Sequence, residues 1–342
     1  MRVIWDKEDR FMKKALKSFI YRSGLHRLHH RARNRRALTV VSFHRVLDPA
    51  DARHAGANPN YTVTTEEFER CLAFFAEHYA VVSLDDVRQA LAGAALPDNP
   101  LLISFDDGWR DNVEYALPIL RKFGFPAVLF IATSFVNSPS GFWQEELYDR
   151  IARSPLRHDD IWLRLGLSGE APGVDFAAAC IAGLTGLAVE IRNGAIERLP
   201  LPDGELPPRM LTAADLACLH EGGFAIAGHG HTHEPLTLCD DAKKELEQSR
   251  VTLTGLPFAA AADAMSFPHG RYTMELMRCA RIVGFDLLFS SDSRLTPVDM
   301  LKARPIMGRA EINMEMLREE AGYPIEESLA FWLFTQPILG DK

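Results

Sequence analysis

The sequence predicts an α/β fold in which parallel strands close into a distorted (β/α)7 barrel, interrupted by an irregular, partly helical insertion. Short apolar runs alternate with helical patterns from residue 37 to about residue 306, which makes about seven strand–helix units, and residues 137–210 break the alternation. Parallel strands need long crossover connections, which helices usually supply. About seven such units favour a closed barrel over an open sheet.

Each element is predicted from its own pattern. Buried apolar runs predict strands at 38–43, 80–83, 101–105, 126–132, 224–228, 264–267, 286–289 and 302–306. Helical patterns predict helices at 66–77, 84–92, 109–123, 216–221, 240–256 and 272–283, with further helix near 144–153 and 176–187. Thr64 or Thr65 caps the first of these helices, and Gly108 ends the strand 101–105.

The composition is that of an ordinary globular protein. Of the 342 residues, 47% are hydrophobic and 25% are charged. No uncharged apolar run reaches the length of a membrane-spanning helix, and the N-terminal residues lack the pattern of a signal peptide. The five scattered cysteines form no disulfide framework, so we expect reduced thiols and a cytoplasmic location.

Charge is distributed unevenly along the chain. Residues 1–36 hold 12 Lys/Arg and 3 Asp/Glu, a net charge of +9. The whole chain has a net charge of −8, so the remaining residues carry a net charge of −17. An acidic body opposes nucleic-acid binding. The sequence therefore divides into a basic N-terminal arm (1–36), a barrel (37–310, with the insertion 137–210) and a helical C-terminal tail (311–342).

The N-terminal arm contains an apolar stripe at helical spacing. The stripe comprises Phe11, Met12, Ala15, Leu16, Phe19 and Ile20. Such a helix either packs on its own domain, with a basic linker at 27–36 behind it, or lies on an anionic membrane surface. The sequence leaves both interpretations open.

Ionisable residues follow four of the predicted strands. Asp106 and Asp107 follow 101–105, and His229 follows 224–228, with His231 and His233 just after it. His44 follows the first strand; Pro268 and His269 follow the strand 264–267. Reactive groups of parallel α/β folds collect at these strand ends.

One carboxylate and two imidazoles there match the ligand set of a catalytic metal site. His229 and His233 are four residues apart, so one helical turn would place both rings on the same side, with His231 directed elsewhere. A second carboxylate, Asp106, is then left beside the metal, where an attacking water needs a base. The alternatives are a turn whose carboxylates cap the next helix and a polar loop with incidental histidines.

These motifs resemble those of the polysaccharide deacetylase family with the NodB homology domain, carbohydrate esterase family 4. Ser104-Phe-Asp-Asp-Gly108 is similar to the family's T-F-D-D-G motif, and His229-Gly-His-Thr-His233 to its H-[ST]-x-x-H motif. Phe267-Pro-His-Gly270 is similar to the Y-P-Y-G form of the third motif, and His44-Arg-Val46 to the Y-H-x-V segment. The resemblance spans residues 38 to about 306, apart from the insertion.

The resemblance implies a distorted (β/α)7 barrel and one divalent metal ion, usually zinc. Asp107, His229 and His233 would be its ligands, and Asp106 the general base. We expect the third-motif region to contact substrate through Pro268, His269 and Tyr272.

Three departures from the family pattern stand out. Ser266 occupies the position where many members place an arginine that contacts the base, and Glu234 stands where proline often follows the second histidine. No histidine occurs after His269, so the late L-x-H motif that supplies the usual general acid is missing. Of the remaining strand-end histidines we favour His44 over His269 as the general acid.

The implied function is hydrolysis of acetyl groups, N-acetyl first, from a sugar, oligosaccharide or lipid-linked glycan by a metal-bound water. The alternatives are a catalytically impaired carbohydrate-binding protein on the same barrel and a non-haem iron oxygenase, which the strand–helix alternation opposes. The arm would place the enzyme at the inner membrane face. Phe142, Trp143 and Trp162 in the insertion either line a sugar groove or pack its core.

Overall fold

The computed structural model describes residues 18–138, 141–200, 208–258, 260–318 and 324–340. Its strands are β1 (Ala37–Phe43), β2 (Arg45–Leu47), β3 (Thr62–Thr64), β4 (Ala80–Val81), β5 (Pro100–Asp107), β6 (Ala127–Ile131), β7 (Phe224–Gly228), β8 (Ala264–Ser266), β9 (Leu287–Phe289), β10 (Thr296–Pro297) and β11 (Ala310–Glu311). Its helices are α1 (Leu25–Arg33), α2 (Thr65–His78), α3 (Leu84–Leu91), α4 (Leu117–Phe123), α5 (Trp143–Ala152), α6 (His158–Arg164), α7 (Phe176–Leu184), α8 (Val189–Ile196), α9 (Ala213–Glu221), α10 (Ala242–Thr254), α11 (Met274–Val283), α12 (Met314–Arg318) and α13 (Ile325–Leu333).

The main sheet is mostly parallel and curls on itself. Strands β1, β5, β6, β7, β8 and β9 lie side by side in that order. Met307 bridges to Phe289 on β9, and β11 pairs with β1 at Val41 and Ala310. Residues 307–311 thus lead from the last strand of the row back to the first. The result is a distorted half-barrel, which confirms the predicted fold class.

Both faces of the sheet are buried, which explains why its strands appear in the sequence as continuous apolar runs. Leu38, Leu102 and Phe130 point to the barrel interior. Neighbouring side chains such as Val41, Ile103 and Leu129 pack on the outer face in the larger core cluster. Residue 106 shares the interior side with 102, so the side chain of Asp106 is directed inward at the end of β5.

Most predicted helix starts are confirmed, but the helix predicted at 109–123 starts later, with a π-helix at Asn112–Ala116 before α4, and one predicted strand is wrong. Thr64 caps α2 in a capping box with Glu67. No strand forms at 302–306: a 3-10 helix covers Val298–Ala303, and the strand that pairs with β1 comes later, at β11. Arg304 adopts a left-handed conformation with φ of 50°, and Pro305 has no N–H to donate, so this segment cannot join a ladder.

The insertion is a small helical unit with its own core. Two of its helices, α5 and α7, were predicted, and α6 and α8 were not. Leu147, Ile161, Phe176 and Leu184 form the centre of this core. The segment that leaves the insertion returns to the end of β5, where Leu211 N–H donates to the Gly108 carbonyl over 3.1 Å. The insertion therefore lies over the carboxyl end of the sheet.

The predicted basic linker at 27–36 is wrong, because residues 25–33 form α1. His26 and His30 face inward, and the His30 ring stacks on Phe334 at a centroid distance of 4.1 Å. An apolar-periodicity search does not count histidine as a core residue, so it misses this helix. The predicted stripe at residues 11–16 lies outside the described residues.

Within the described ranges, we find no helix with the length and apolar character needed to cross a bilayer.

Candidate metal centre and active site

Two aspartates end the strand β5 and are buried. Asp106 is 2% exposed and Asp107 is 7% exposed. Asp107 has a φ of 79°, in the left-handed region that a residue with a side chain rarely adopts. This turn of the backbone lets consecutive carboxylates point toward a shared space at the strand end, and the strain it stores is typical of functional sites.

The histidine segment after β7 is a loop, not the helical turn that the four-residue spacing suggested. Gly230 and His233 have positive φ values of 74° and 63°. The loop nevertheless brings the rings of His229 and His233 together, with centroids 5.2 Å apart. His231 points away, as expected, and its Nδ1 lies 2.9 Å from Thr133 Oγ1.

Asp107, His229 and His233 converge on one point. One potential ligand atom from each lies within 4.8 Å of the other two. Asp107 Oδ1 is 3.2 Å from His233 Nε2 and 3.6 Å from His229 Nε2, yet this buried oxygen has no hydrogen-bond partner. His229 Nδ1 donates to the Ser266 carbonyl over 2.9 Å, which directs Nε2 inward. An unpartnered oxygen between two imidazoles fits a divalent cation.

The other oxygen of Asp107 is already engaged. Trp109 Nε1–H donates to Asp107 Oδ2 over 2.8 Å. Trp109 is itself 1% exposed.

Arg309 holds Asp106, and the sequence did not reveal it. Its guanidinium donates to both carboxylate oxygens, at 2.6 and 2.7 Å, and to Ser266 Oγ at 2.7 Å. The family's arginine position is Ser266 here, so the cation reaches Asp106 from the segment that leads into β11. The only sequence signal was indirect: a buried aspartate without its usual arginine needs a cation from elsewhere.

Burial and neighbouring charges have opposite effects on the pKa values of the site aspartates. Burial alone would raise the pKa of Asp106, but Arg309 and the nearby histidines outweigh it, so the pKa is lowered. The same burial is outweighed for Asp107 by His233, His44 and His229, which lower its pKa. Burial lowers the pKa of His229 to about 4. Both carboxylates are therefore charged, and His229 is neutral, at neutral pH.

His44 lies beside Asp106. Its Nε2 is 3.9 Å from Asp106 Oδ2, and its buried Nδ1 has no hydrogen-bond partner. The Tyr61 ring contacts it edge-on at a centroid distance of 4.9 Å. Burial would lower the pKa of His44, but the carboxylates of Asp107, Glu311 and Asp106 outweigh this effect and raise it.

The third-motif residues are placed differently from the prediction. His269 lines the cavity, but its Nε2 donates to the His233 carbonyl over 3.1 Å, which supports the histidine loop. Pro268 is buried behind this loop, near Gly230. The Tyr272 hydroxyl donates to Asp292 over 2.7 Å and does not reach the cavity. Of the three predicted substrate contacts, only His269 borders the cavity.

A cavity of about 450 Å³ opens over these groups. The barrel contributes His44, Asp106, Asp107 and Glu311 to its wall, and the insertion contributes residues of α5 and α7. Trp143, Gln144 and Glu145 come from α5, and sequence reasoning had named only the first. Trp162 instead packs in the insertion core, and the Phe142 ring contacts the His233 ring in a tilted arrangement at a centroid distance of 4.2 Å.

A contact with the insertion explains why Glu234 stands in place of the family's proline. Its carboxylate lies 3.1 Å from the guanidinium of Arg192, a residue of α8 that is 6% exposed. The Arg192 guanidinium in turn lies over the Trp143 ring at 4.5 Å. The residue that replaces the family's proline thus binds the histidine loop to the insertion.

The fold and the site together define an α/β half-barrel protein with a candidate mononuclear metal centre at the strand ends. Residues 93–159, which include the first motif, match the family model for polysaccharide deacetylase. Over 117 residues the chain is 32% identical to the poly-beta-1,6-N-acetyl-D-glucosamine N-deacetylase of Escherichia coli K12, a stretch that covers 32% of this chain and 16% of that protein. The match therefore spans about a sixth of the relative's length.

Solved structures share the fold over most of the chain. The Streptococcus pyogenes deacetylase PplD, solved in complex with acetate, superposes with a TM-score of 0.55 at 16% identity, over 87% of this chain and 99% of that one. IcaB from Ammonifex degensii gives 0.54 at 17% identity, over 87% and 97%. Through the matched segment the chain resembles the polysaccharide deacetylase family, and over most of its length it shares the fold of these solved structures.

Proposed function

We propose that this protein hydrolyses acetyl groups, N-acetyl groups first, from a carbohydrate. The observation that supports the proposal is that two neighbouring carboxylates in one cavity have different hydrogen-bond partners. Asp107 faces His229 and His233 with an unpartnered oxygen, while Asp106 is held by Arg309 with both oxygens bound. One carboxylate is arranged as a metal ligand and its neighbour as a base.

The residues of the chain have distinct roles in this proposal. A divalent cation held by Asp107, His229 and His233, with zinc the proposed ion, would polarise the acetyl carbonyl and make an attacking water more acidic. Asp106 accepts the proton of that water, and Arg309 keeps the carboxylate charged and oriented. His44 donates a proton to the leaving nitrogen, because an amine anion is a very poor leaving group.

The nature of the substrate is inferred from chemistry and from relatives. The E. coli relative is, by its name, an N-deacetylase of poly-beta-1,6-N-acetyl-D-glucosamine. The cavity here is large enough for a sugar unit, and the polar side chains of Gln144, Glu145 and Glu311 border it. These features support an acetylated amino sugar, free, in an oligosaccharide or in a lipid-linked glycan.

The test is acetate release by zinc-loaded protein from N- and O-acetylated sugars and oligosaccharides. Asp106→Asn should keep its zinc and lose about 10²–10⁴-fold in rate, whereas Asp107→Ala should lose the zinc itself. Asp98→Asn, an exposed substitution at the other end of β5, serves as the control. Full activity in Asp107→Ala would refute the assignment. No acetate from a zinc-loaded wild type would favour a catalytically impaired carbohydrate-binding protein, and native iron would favour an oxygenase.

The role of His44 has its own test. His44→Gln should slow hydrolysis of an N-acetyl substrate strongly and that of an aryl acetate little, because a phenolate leaves without a proton from the enzyme. Equal losses on both substrates would exclude His44 as the general acid.

We further propose that α1 contacts an anionic membrane surface at the inner face of the cell membrane. Phe19, Leu25 and Leu28 are 65%, 53% and 65% exposed, and exposed Arg22 and Arg31 lie in the same segment. Exposed apolar side chains among arginines suit anionic lipid. Because α1 packs near Asn99, at the start of β5, this surface lies at the end of the barrel opposite the metal ligands.

Vesicle co-sedimentation tests this contact. Leu25→Glu with Leu28→Glu should abolish binding to anionic vesicles, and Leu163→Glu, at a position on the insertion that is 77% exposed, should not. Equal binding by both variants would reject the proposal, and fractionation of cells tests the cytoplasmic location.

A further inference from the structure

The indole N–H of Trp109 donates a hydrogen bond to the carboxylate of Asp107. A carboxylate can bind a cation through one oxygen or through both. Here Oδ2 accepts the Trp109 N–H at 2.8 Å, while Oδ1 faces the histidines with no hydrogen-bond partner. The hydrogen bond distinguishes two oxygens that would otherwise exchange by rotation of the side chain.

Trp109 is fixed from several sides. Its side chain is 1% exposed and packs edge-on against Phe142 at a centroid distance of 5.2 Å. The backbone on both sides of it is bound to the segment that leaves the insertion: Arg110 N–H donates to the Arg209 carbonyl over 2.7 Å, and Leu211 N–H donates to Gly108 over 3.1 Å. Burial, the ring contact and these backbone hydrogen bonds together restrict how the indole can move.

A buried cation lies on the face of this indole. The guanidinium carbon of Arg45 is 4.5 Å from the ring centroid, and Arg45 is 2% exposed. Arg45 is held by Asp111 at 3.0 Å and by Glu145, from the insertion helix α5, at 3.4 Å. A positive charge over the ring withdraws electron density and makes the N–H a better donor.

We propose that Trp109 is a positioning residue of the metal centre: its N–H holds Asp107 as a one-oxygen ligand and thereby sets the affinity of the site. The inference rests on the proposed Asp107–His229–His233 metal site. It gives the insertion a second role besides lining the cavity, because Phe142, Glu145 and Arg209 all hold Trp109 or Arg45 in place. Partners that orient metal ligands typically contribute about 10–100-fold to affinity.

The test compares Zn²⁺ dissociation constants, measured by chelator competition, of wild type, Trp109→Phe and Trp162→Phe. Trp162 is the matched control because it also lies in a packed cluster but its indole N–H has no partner. We expect the dissociation constant of Trp109→Phe to rise about 10–100-fold and that of Trp162→Phe to remain as in wild type. The absorption spectrum of bound Co²⁺ should change in Trp109→Phe alone, because Asp107 is then free to bind through both oxygens.

A second variant separates the hydrogen bond from packing. Benzothienylalanine at position 109 keeps the shape of the ring and replaces N–H by sulfur, so it should weaken Zn²⁺ binding as Trp109→Phe does while preserving the melting temperature of the metal-free protein. Zn²⁺ affinities within twofold of wild type for both variants would overturn the inference and leave the metal site standing. A wild type that binds no Zn²⁺ would overturn both.

Discussion

At the scale of single residues, Arg309 and Asp106 form a buried ion pair whose disruption should cost much free energy of folding. Both side chains are almost fully buried, and two charge-assisted hydrogen bonds join them. Removing one member of such a pair leaves the other as an uncompensated charge, which costs more than the pair itself contributes. The stability of the barrel therefore depends on a contact inside the candidate active site.

We expect Arg309→Met to lower the free energy of unfolding by about 3–5 kcal/mol at neutral pH, because the Asp106 carboxylate then lies buried without a cation. In the double variant with Asp106→Asn the loss should be clearly smaller than the sum of the two single losses. Urea unfolding of the metal-free proteins measures this double-mutant cycle.

A surface pair provides the comparison. Arg304 and Asp286 are 2.8 Å apart but about half exposed, so Arg304→Met should cost no more than about 1 kcal/mol. Additive losses at Arg309 and Asp106 would show that the two side chains do not interact in solution.

The residues that sequence reasoning located and those it missed differ in a physical way. Asp106, Asp107, His44 and His229 each end a strand whose apolar run is evident, so the topology alone predicts that they converge. Arg309 and Trp109 act through side-chain hydrogen bonds, and no periodicity encodes their direction. Arg309 also lies just before β11. The sequence pattern predicts this last strand several residues earlier in the chain than the structure has it.

At the scale of secondary-structure elements, the insertion is coupled to the histidine loop through Arg192 and Glu234. Arg192 is nearly buried, whereas Glu234 is 38% exposed in its side chain. The loop has no regular hydrogen bonding of its own, and it holds its shape through contacts such as that of His269 Nε2–H with the His233 carbonyl. The insertion thus stabilises the geometry of the candidate metal ligand His233 from outside the barrel.

We expect Glu234→Ala to speed amide exchange in α8 about tenfold or more, because loss of the carboxylate leaves the buried Arg192 guanidinium unpaired, at a cost of about 1–3 kcal/mol. Exchange in β5, β6 and β7 should not change. Hydrogen–deuterium exchange with mass spectrometry measures both.

The control is Glu247→Ala, which removes an exposed pair with Lys243 on α10. Exchange in α8 that is identical in the two variants would mean that the insertion keeps its position without Glu234.

Sequence patterns describe the elements of the barrel better than those of the insertion. The barrel strands are buried on both faces, so their signal is strong and their ends are marked by glycine or polar residues. The insertion helices are short and packed around a small core, and two of them escaped notice. The basic segment that becomes α1 escaped for another reason, since its inward residues are histidines.

At the scale of the whole molecule, the two ends of the described chain meet in one aromatic and histidine cluster. His30 of α1 accepts from Asn34 at Nδ1 and donates from Nε2 to the His78 carbonyl, and it stacks on Phe334. Asn34 also donates to the Phe334 carbonyl over 3.1 Å. The cluster joins α1, α2 and the end of α13. Protonation of its histidines should therefore change the stability of the whole fold.

This cluster predicts a stability that falls in mild acid. Burial lowers the pKa of His30 to about 4 and that of His78 to about 4, whereas the unfolded chain binds these protons near pH 6.5. Between those values the unfolded state holds more protons, so stability rises with pH. The contribution of neutral, buried His30 is complete above about pH 6.5 and is lost as the pH falls toward 4, by about 3 kcal/mol.

Guanidinium unfolding of metal-free protein across pH 4–7 measures this slope. His30→Gln should flatten it by about 3 kcal/mol over the interval, since glutamine does not titrate. His29→Gln, on the exposed face of the same helix, is the matched control variant. Parallel curves for His30→Gln and wild type would show that α1 does not keep His30 neutral in the folded protein.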